Sequence, residues 1–170
     1  SGAMALLPEL AAQWEEKTDS LVIEGYGMTE SSPVLSGSPV SPARRPSTLG
    51  LPFPSVDAKV VNPDNIEEEM PLGEVGELLV RGPNVFVGYL NQPEEPAATL
   101  IDGEWLRTGD LVRWDDGFLV MADRRKEMII RSGFNVYPSQ VEEAVRSMPG
   151  IRDVAVVGMP DGSAGEAVVA

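Results

Sequence analysis

The 170-residue chain contains no cysteine and no histidine. The absence of cysteine excludes disulfides, thiolate metal sites and a thiol nucleophile. The absence of histidine excludes Ser-His-Asp triads, imidazole general bases and most zinc sites. Any chemistry here must therefore use carboxylates, hydroxyls, lysine, arginine, tyrosine or backbone dipoles.

Positive charge is also scarce, since 13 Lys and Arg face 27 Asp and Glu and give a formal net charge of −14. This balance disfavours nucleic acid and anionic membrane surfaces as partners. No apolar run approaches the ~20 residues of a membrane-spanning helix, and the N-terminus lacks the pattern of a signal peptide. With the absence of cysteine, these features predict a cytoplasmic protein of one domain, or of one domain and part of another.

The spacing of apolar residues predicts a helix over residues 5–17 and a short buried strand at Leu21–Ile23. Six prolines between residues 31 and 54 predict an ordered loop that contains neither a long helix nor a central strand. Residues 56–121 alternate between short apolar runs and turn signals, as in a small β-rich barrel or sheet. Asp102-Gly103 is typical of a hairpin turn in this region.

The pattern changes after residue 123. A strand, a helix beginning at Pro138 and a buried strand at Val154–Val157 predict a second, small α+β domain. The predicted fold class is therefore α+β, with a β-rich first part.

The first candidate ligand segment is Gly25-Tyr26-Gly27-Met28-Thr29-Glu30. A threonine hydroxyl and glycine amides suit phosphate oxygens, a tyrosine ring offers a flat face to a base, and glutamate supplies a hard oxygen for Mg²⁺. The alternative is a Thr/Glu capping pair beside a core tyrosine.

A second candidate segment, Trp105–Asp110, ends in a carboxylate whose two oxygens can accept hydrogen bonds from both hydroxyls of a ribose. The alternative is a turn aspartate that bonds its own backbone.

The third candidate segment is Asp123-Arg124-Arg125-Lys126, with Gly133 seven residues further on. Arg124 can donate to ribose or phosphate oxygens, Lys126 suits a swivel between domains, and Gly133 permits close approach of a ligand. A basic strand edge and a turn glycine are the alternatives. Six basic and five acidic residues lie between Arg107 and Arg131, so this region is far less acidic than the rest and suits an anionic ligand.

In their order and spacing these segments resemble the adenylate-forming enzymes, which include acyl-CoA synthetases, peptide-synthetase adenylation domains and beetle luciferases. The resemblance extends over nearly the whole chain and is closest to the bacterial long-chain fatty-acid–CoA ligases. The stretches that carry it are Gly25–Glu30, Gly76–Leu78 through Gly88-Tyr89, Trp105–Asp110, Asp123–Lys126, Ser132–Pro138, Gly158–Pro160 and Gly165–Ala167.

The resemblance implies an enzyme that activates a fatty acid with ATP to acyl-AMP and then transfers the acyl group to coenzyme A, with Mg²⁺ as cofactor. It implies catalytic roles for Thr29, which would contact phosphate, and for Glu30, which would also hold the metal. It further implies that the following residues bind nucleotide or coenzyme: Tyr26 against adenine within the Gly25–Gly27 loop, Asp110 and Arg124 on ribose, Lys126 at the hinge and Gly133 beside the pantetheine path.

The resemblance also implies an internal fragment, because the family's phosphate-gripping loop and its C-terminal lysine have no match here. Residues 1–124 would be the C-terminal portion of the large AMP-binding domain, and residues 125–170 the hinge and a truncated small domain. We expect little or no ligase activity from the fragment alone, and dimerisation, strand exchange or partial disorder through its exposed edges.

Several alternatives stay open at this point. The acid substrate is fatty, or it is a short-chain, aryl or amino acid. The chain is part of a ligase, or it is a non-catalytic nucleotide-binding or interaction module. The small-molecule partners implied are fatty acid, ATP and CoA, and a peripheral membrane contact of the full-length enzyme is left open.

Overall fold

The computed structural model describes residue 6 and residues 8–91, 99–162 and 165–170. The two α-helices whose bounds lie within these described residues are α1 (Pro8–Thr18) and α2 (Pro138–Arg146). Its strands are β1 (Gly25–Gly27), β2 (Val34–Gly37), β3 (Leu51–Pro52), β4 (Asp57–Asn62), β5 (Asn65–Glu69), β6 (Gly76–Arg81), β7 (Leu100–Ile101), β8 (Trp105–Asp115), β9 (Phe118–Arg124), β10 (Ile129–Arg131), β11 (Phe134–Val136), β12 (Val157–Pro160) and β13 (Glu166–Val169).

These residues form two compact units. The N-terminal unit lies within residues 1–108 and 112–121, and the C-terminal unit within residues 109–111 and 122–170. Strands β8 and β9 contribute residues to both units. The predicted division of the whole protein at residues 124 and 125 stays a prediction.

The N-terminal unit begins with α1, which confirms most of the helix predicted over residues 5–17; residues 5 and 7 lie outside the described residues. The strand predicted at Leu21–Ile23 is wrong, because these residues do not belong to any strand of the described part of the chain and Leu21 is 51% exposed. The first strand among the described residues is β1, where Tyr26 lies opposite Ser36 of β2.

The proline-rich stretch 31–54 also differs from its prediction. It contains β2, the middle strand of the antiparallel sheet β1-β2-β3. A central strand is possible here because no proline falls within Val34–Gly37, so every residue of β2 keeps its backbone N–H donor. The remaining loop is ordered as predicted: Ser36 Oγ donates to the Leu49 carbonyl at 2.6 Å, and Leu49 N–H donates to the Leu119 carbonyl at 2.8 Å.

The predicted β-rich region is confirmed as a six-stranded sheet in the order β5-β4-β6-β8-β7, with β9 paired to β8. The turn at Asp102-Gly103 has φ values of 52° and 73°, and Glu104 N–H donates to the Ile101 carbonyl at 3.0 Å. Apolar side chains from these strands, together with one from β2, form the core: Leu35, Val60, Leu78, Val80, Leu100, Leu106, Val112 and Leu119.

The C-terminal unit contains two antiparallel strand pairs, β10-β11 and β12-β13, and helix α2. As predicted, α2 begins at Pro138, whose missing N–H costs nothing in the first helical turn. The strand predicted at Val154–Val157 is displaced: the paired residues are Val157–Pro160, because they lie opposite Glu166–Val169. Of the predicted four, Val156 is the buried residue, at 6% exposure.

Neither described helix has the length and apolar character needed to cross a membrane.

Candidate functional site

A tight turn presents Thr29 and Glu30 from the N-terminal unit. Residues Thr29–Ser31 form a single 3₁₀ turn after β1. The fully buried Ser31 closes it: Met28 N–H donates to Ser31 Oγ at 3.0 Å, and that hydroxyl lies 2.8 Å from the Met28 carbonyl. Since Ser31 closes the turn, the Thr/Glu capping alternative is not what holds this backbone. Thr29 is exposed and Glu30 is half-buried.

Glu30 is held by a distant segment, residues 84–89. Tyr89 donates its hydroxyl to Glu30 Oε1 at 2.6 Å, and Phe86 N–H donates to the Glu30 carbonyl at 2.8 Å. The side-chain amide of Asn84 donates to the carbonyls of Ser31 and Val34 at 3.0 and 2.8 Å. The segment therefore fixes both the backbone and the carboxylate of the turn.

Tyr26 and its two neighbouring glycines lie on β1. Tyr26 is half-buried and packs against the apolar core, which supports part of the core-tyrosine alternative. A Cβ at Gly27 would lie 1.8 Å from the Pro33 carbonyl oxygen, so this position requires glycine for the close approach of β1 and β2. Gly25 lies opposite Gly37 in the same strand pair.

Asp110 and Arg124 lie side by side in the C-terminal unit. Arg124 Nε is 3.6 Å from Asp110 Oδ1, a separation longer than a hydrogen bond. The Asp110 side chain is 13% exposed and that of Arg124 is 56% exposed. Arg125 N–H donates to the Gly109 carbonyl at 2.9 Å. This backbone hydrogen bond joins the chain next to Arg124 to the chain next to Asp110.

Lys126 and Gly133 occupy two turns of the C-terminal unit. Lys126 is exposed in the turn that follows β9. Gly133 lies at the tip of the β10–β11 hairpin with φ 83°, and a Cβ there would meet no atom within 4 Å. The hairpin alone explains a glycine at that φ, and the roles predicted for both residues toward a ligand stay predictions.

The predicted site residues thus fall into two groups. Tyr26, Thr29 and Glu30 share the N-terminal unit, while the C-terminal unit contains Asp110, Arg124, Lys126 and Gly133.

An ion pair that the sequence analysis missed joins the buried Glu77 of β6 to the half-buried Arg107 of β8, three residues before Asp110. Glu77 is 2% exposed and accepts two hydrogen bonds from the guanidinium of Arg107, one of them at 3.1 Å from Nε. The hydrogen bonds that Arg107 donates to the Glu77 carboxylate raise the pKa of Arg107, and burial opposes this shift. Thr108 Oγ1 also donates to the Leu78 carbonyl at 2.8 Å. Strand β8 is therefore fixed by side chains just before it reaches Gly109 and Asp110.

Few side chains near the candidate site could act as ligands for a metal ion. Among the described residues, no group of three or more His, Cys, Asp or Glu side chains is placed to hold a metal ion. Mg²⁺, however, keeps several waters and commonly binds through one or two carboxylates together with substrate phosphates. Glu30 fits that mode, because Tyr89 donates to its Oε1 and, within the described part of the chain, its Oε2 accepts no hydrogen bond.

Comparisons with known proteins agree on one family. The sequence profile described as "AMP-binding enzyme" matches residues 1–90. The chain is 44% identical over 168 residues to the long-chain-fatty-acid–CoA ligase of Escherichia coli O6:H1, covering 98% of this chain and 29% of that protein. It is 39% identical over 169 residues to a 4-coumarate–CoA ligase-like protein of Oryza sativa subsp. japonica, covering 98% of this chain and 30% of that protein.

Among solved structures, ATP-bound MatB from Rhodopseudomonas palustris superposes with a TM-score of 0.90 at 38% identity, covering 99% of this chain and 33% of that one. The chain thus spans about three tenths of the length of the curated relatives it matches. Its fold is one that these larger proteins contain.

Proposed function

Because the chain belongs to the family of AMP-binding enzymes, we propose that it contributes the adenosine-binding part of an ATP-dependent acid–thiol ligase. The acid is a fatty acid and the thiol is coenzyme A. Identity of 44% to a long-chain-fatty-acid–CoA ligase over almost the whole chain supports this reaction.

The observation that carries the proposal is the placement of Asp110 beside Arg124. A carboxylate with two acceptor oxygens and a guanidinium with several donors suit the adjacent hydroxyls of a ribose. Their 3.6 Å separation is too long for a hydrogen bond between them.

The proposed reaction has two halves. In the first, a carboxylate oxygen of the acid forms a bond to the α-phosphorus of ATP, and the bond to the bridging oxygen breaks, releasing pyrophosphate. In the second, the sulfur of coenzyme A forms a bond to the acyl carbon of acyl-AMP, the carbon–oxygen bond breaks and AMP leaves, while the thiol proton passes to solvent. Such transfers depend on positioning and charge neutralisation, so a chain without histidine and cysteine is suited to them.

In the N-terminal unit, the exposed hydroxyl of Thr29 binds a phosphate oxygen and the ring of Tyr26 lies against adenine. Gly25 and Gly27 flank Tyr26 on strand β1 and keep the backbone beside the adenine free of side chains. Glu30 binds Mg²⁺, which when present neutralises charge on the phosphates.

In the C-terminal unit, Asp110 and Arg124 bind the ribose, Lys126 lies at the hinge and Gly133 lines the pantetheine path. We further propose that residues 1–124 belong to a large AMP-binding domain and residues 125–170 to the hinge and a small domain.

Calorimetric titration of AMP into the wild-type chain and into Asp110→Ala tests the proposal. The loss of a charged hydrogen bond costs about 1.5–3 kcal/mol, so we expect AMP affinity to fall roughly 10- to 150-fold. Glu67→Ala, which removes one exposed negative charge from β5, is the matched control and keeps wild-type affinity. Equal AMP affinity in wild type and Asp110→Ala, or no AMP binding by the wild type, overturns the proposal.

A second candidate substrate is an aryl acid, which is favoured by the 39% identity to the 4-coumarate–CoA ligase-like protein. A panel of acids assayed with the enzyme that contains this chain separates the two. Turnover of cinnamate-type acids in preference to long-chain acids selects the aryl candidate.

A further inference from the structure

We infer that Tyr89 is a positioning residue for the metal-binding carboxylate of Glu30. Its phenol fixes one carboxylate oxygen, and the other oxygen would be the one that holds the cation. This inference rests on the proposed function, since that function assigns Mg²⁺ to Glu30.

The contact is short and specific. The Tyr89 hydroxyl donates to Glu30 Oε1 at 2.6 Å, the length of a charge-assisted hydrogen bond between a hydroxyl and a carboxylate. A glutamate side chain has several rotatable bonds, and ordering it costs conformational entropy. The hydrogen bond from Tyr89 already selects one rotamer of Glu30. Less side-chain entropy is therefore lost when the cation binds.

Tyr89 is itself positioned by its own segment. Its ring meets that of Phe86 edge-to-face, with centroids 4.8 Å apart and planes at 75°. The Phe86 N–H in turn donates to the Glu30 carbonyl at 2.8 Å. The same short stretch of chain thus holds both the backbone and the carboxylate of Glu30. This is expected when surrounding groups orient a metal ligand.

A purely structural tie between the two segments is the competing explanation, and the nucleotide used as probe separates the two. AMP carries one phosphate and needs no cation to occupy an adenosine site, whereas ATP binds as its Mg²⁺ complex. A residue that only supports the fold changes the binding of both nucleotides. A residue that orients the metal ligand changes the Mg²⁺ dependence of ATP binding alone.

The experiment is calorimetric titration of ATP into wild type and Tyr89→Phe over a series of Mg²⁺ concentrations, with AMP titrated in EDTA. Loss of a partner that orients a metal ligand typically costs 10- to 100-fold in metal affinity. We therefore expect the Mg²⁺ concentration for half-maximal ATP binding to rise about 10-fold in Tyr89→Phe, with AMP affinity unchanged. Tyr137→Phe, which removes a tyrosine hydroxyl from the C-terminal unit, is the control and keeps the wild-type midpoint.

Two outcomes overturn the inference while leaving the proposed function intact: an unchanged Mg²⁺ midpoint in Tyr89→Phe, or an equal loss of AMP and ATP binding. Glu30→Gln shows the effect of losing the metal ligand itself. It keeps an oxygen that can accept the Tyr89 hydrogen bond but removes the negative charge, so it should abolish the Mg²⁺ dependence of ATP binding. ATP binding by the wild type that does not depend on Mg²⁺ overturns the metal assignment to Glu30 and this inference together.

Discussion

The two units of this chain are stabilised in different ways. The N-terminal unit surrounds a continuous apolar core in which Leu78 and Leu106 are completely buried. Both units expose large apolar side chains, among them Val87 at 96% and Phe134 at 76%. The C-terminal unit differs in how few it buries: among its described residues the buried apolar ones are Leu111, Ala122, Ile129 and Val156. The same chain therefore combines a unit with a substantial core of its own and a unit with much less apolar burial.

The C-terminal unit has a buried carboxylate that contacts the start of its helix. Asp123 is 7% exposed, and its Oδ2 lies 3.1 Å from both the backbone N and the Oγ of Ser139 in the first turn of α2. A carboxylate at this position satisfies an unpaired N–H and favours the helix dipole. The comparison indicates that apolar substitutions matter most in the N-terminal unit and that a few polar ones matter most in the C-terminal unit.

The largest expected effect tests the apolar half of this comparison. Leu78→Ala leaves a cavity in the core and should lower the free energy of unfolding by about 2–5 kcal/mol. Met159→Ala, at an exposed position of the C-terminal unit, should change it by only about 0.5 kcal/mol. Urea denaturation followed by intrinsic fluorescence measures both. Similar losses for the two variants would break the comparison.

The polar half is tested by Asp123→Ala, which leaves the first turn of α2 without its carboxylate. We expect a loss of about 1–3 kcal/mol, visible as faster hydrogen exchange at amides of α2 and not at those of β6. Asp153→Ala removes a carboxylate that is 85% exposed and serves as the control. Unchanged exchange in α2 after the Asp123 substitution would show that the helix is held by its apolar contacts instead.

The smallest expected loss of stability concerns an exposed polar contact of the C-terminal unit, which can be compared with the buried Asp123. Arg131 and Asp161 form an ion pair with side chains 40% and 50% exposed. Asp161→Asn should cost at most about 1 kcal/mol, and the difference from wild type should vanish in 1 M NaCl, where the Debye length is about 3 Å. A large loss of stability that does not depend on salt would show that this exposed pair contributes as much as the buried Asp123.

Local patterns in the sequence predicted much of the fold. Helix α2 begins at the predicted proline, and the Asp102-Gly103 turn forms where its turn chemistry predicts it. The errors have a common cause. Leu21–Ile23 and Val154–Val157 are short apolar runs, and whether such a run pairs depends on the strand that lies beside it.

The predicted family membership is confirmed by the matching family profile and by the identity to the fatty-acid–CoA ligases. The individual roles of the site residues stay predictions. The segment that surrounds Glu30 was only partly anticipated: Gly88-Tyr89 contributed to the resemblance, but neither Tyr89 nor Asn84 had a role assigned from sequence.

The sequence by itself determined which chemistry is open to this protein, because residue types such as carboxylate, hydroxyl and arginine can be read directly, as can the glycines and prolines that end its strands. Only the tertiary structure decided which of these groups act together. Tyr89 reaches Glu30 across 59 residues and Arg107 reaches Glu77 across 30. Such partners are chosen by the pairing and register of strands and by the packing of loops on them, which no local pattern encodes.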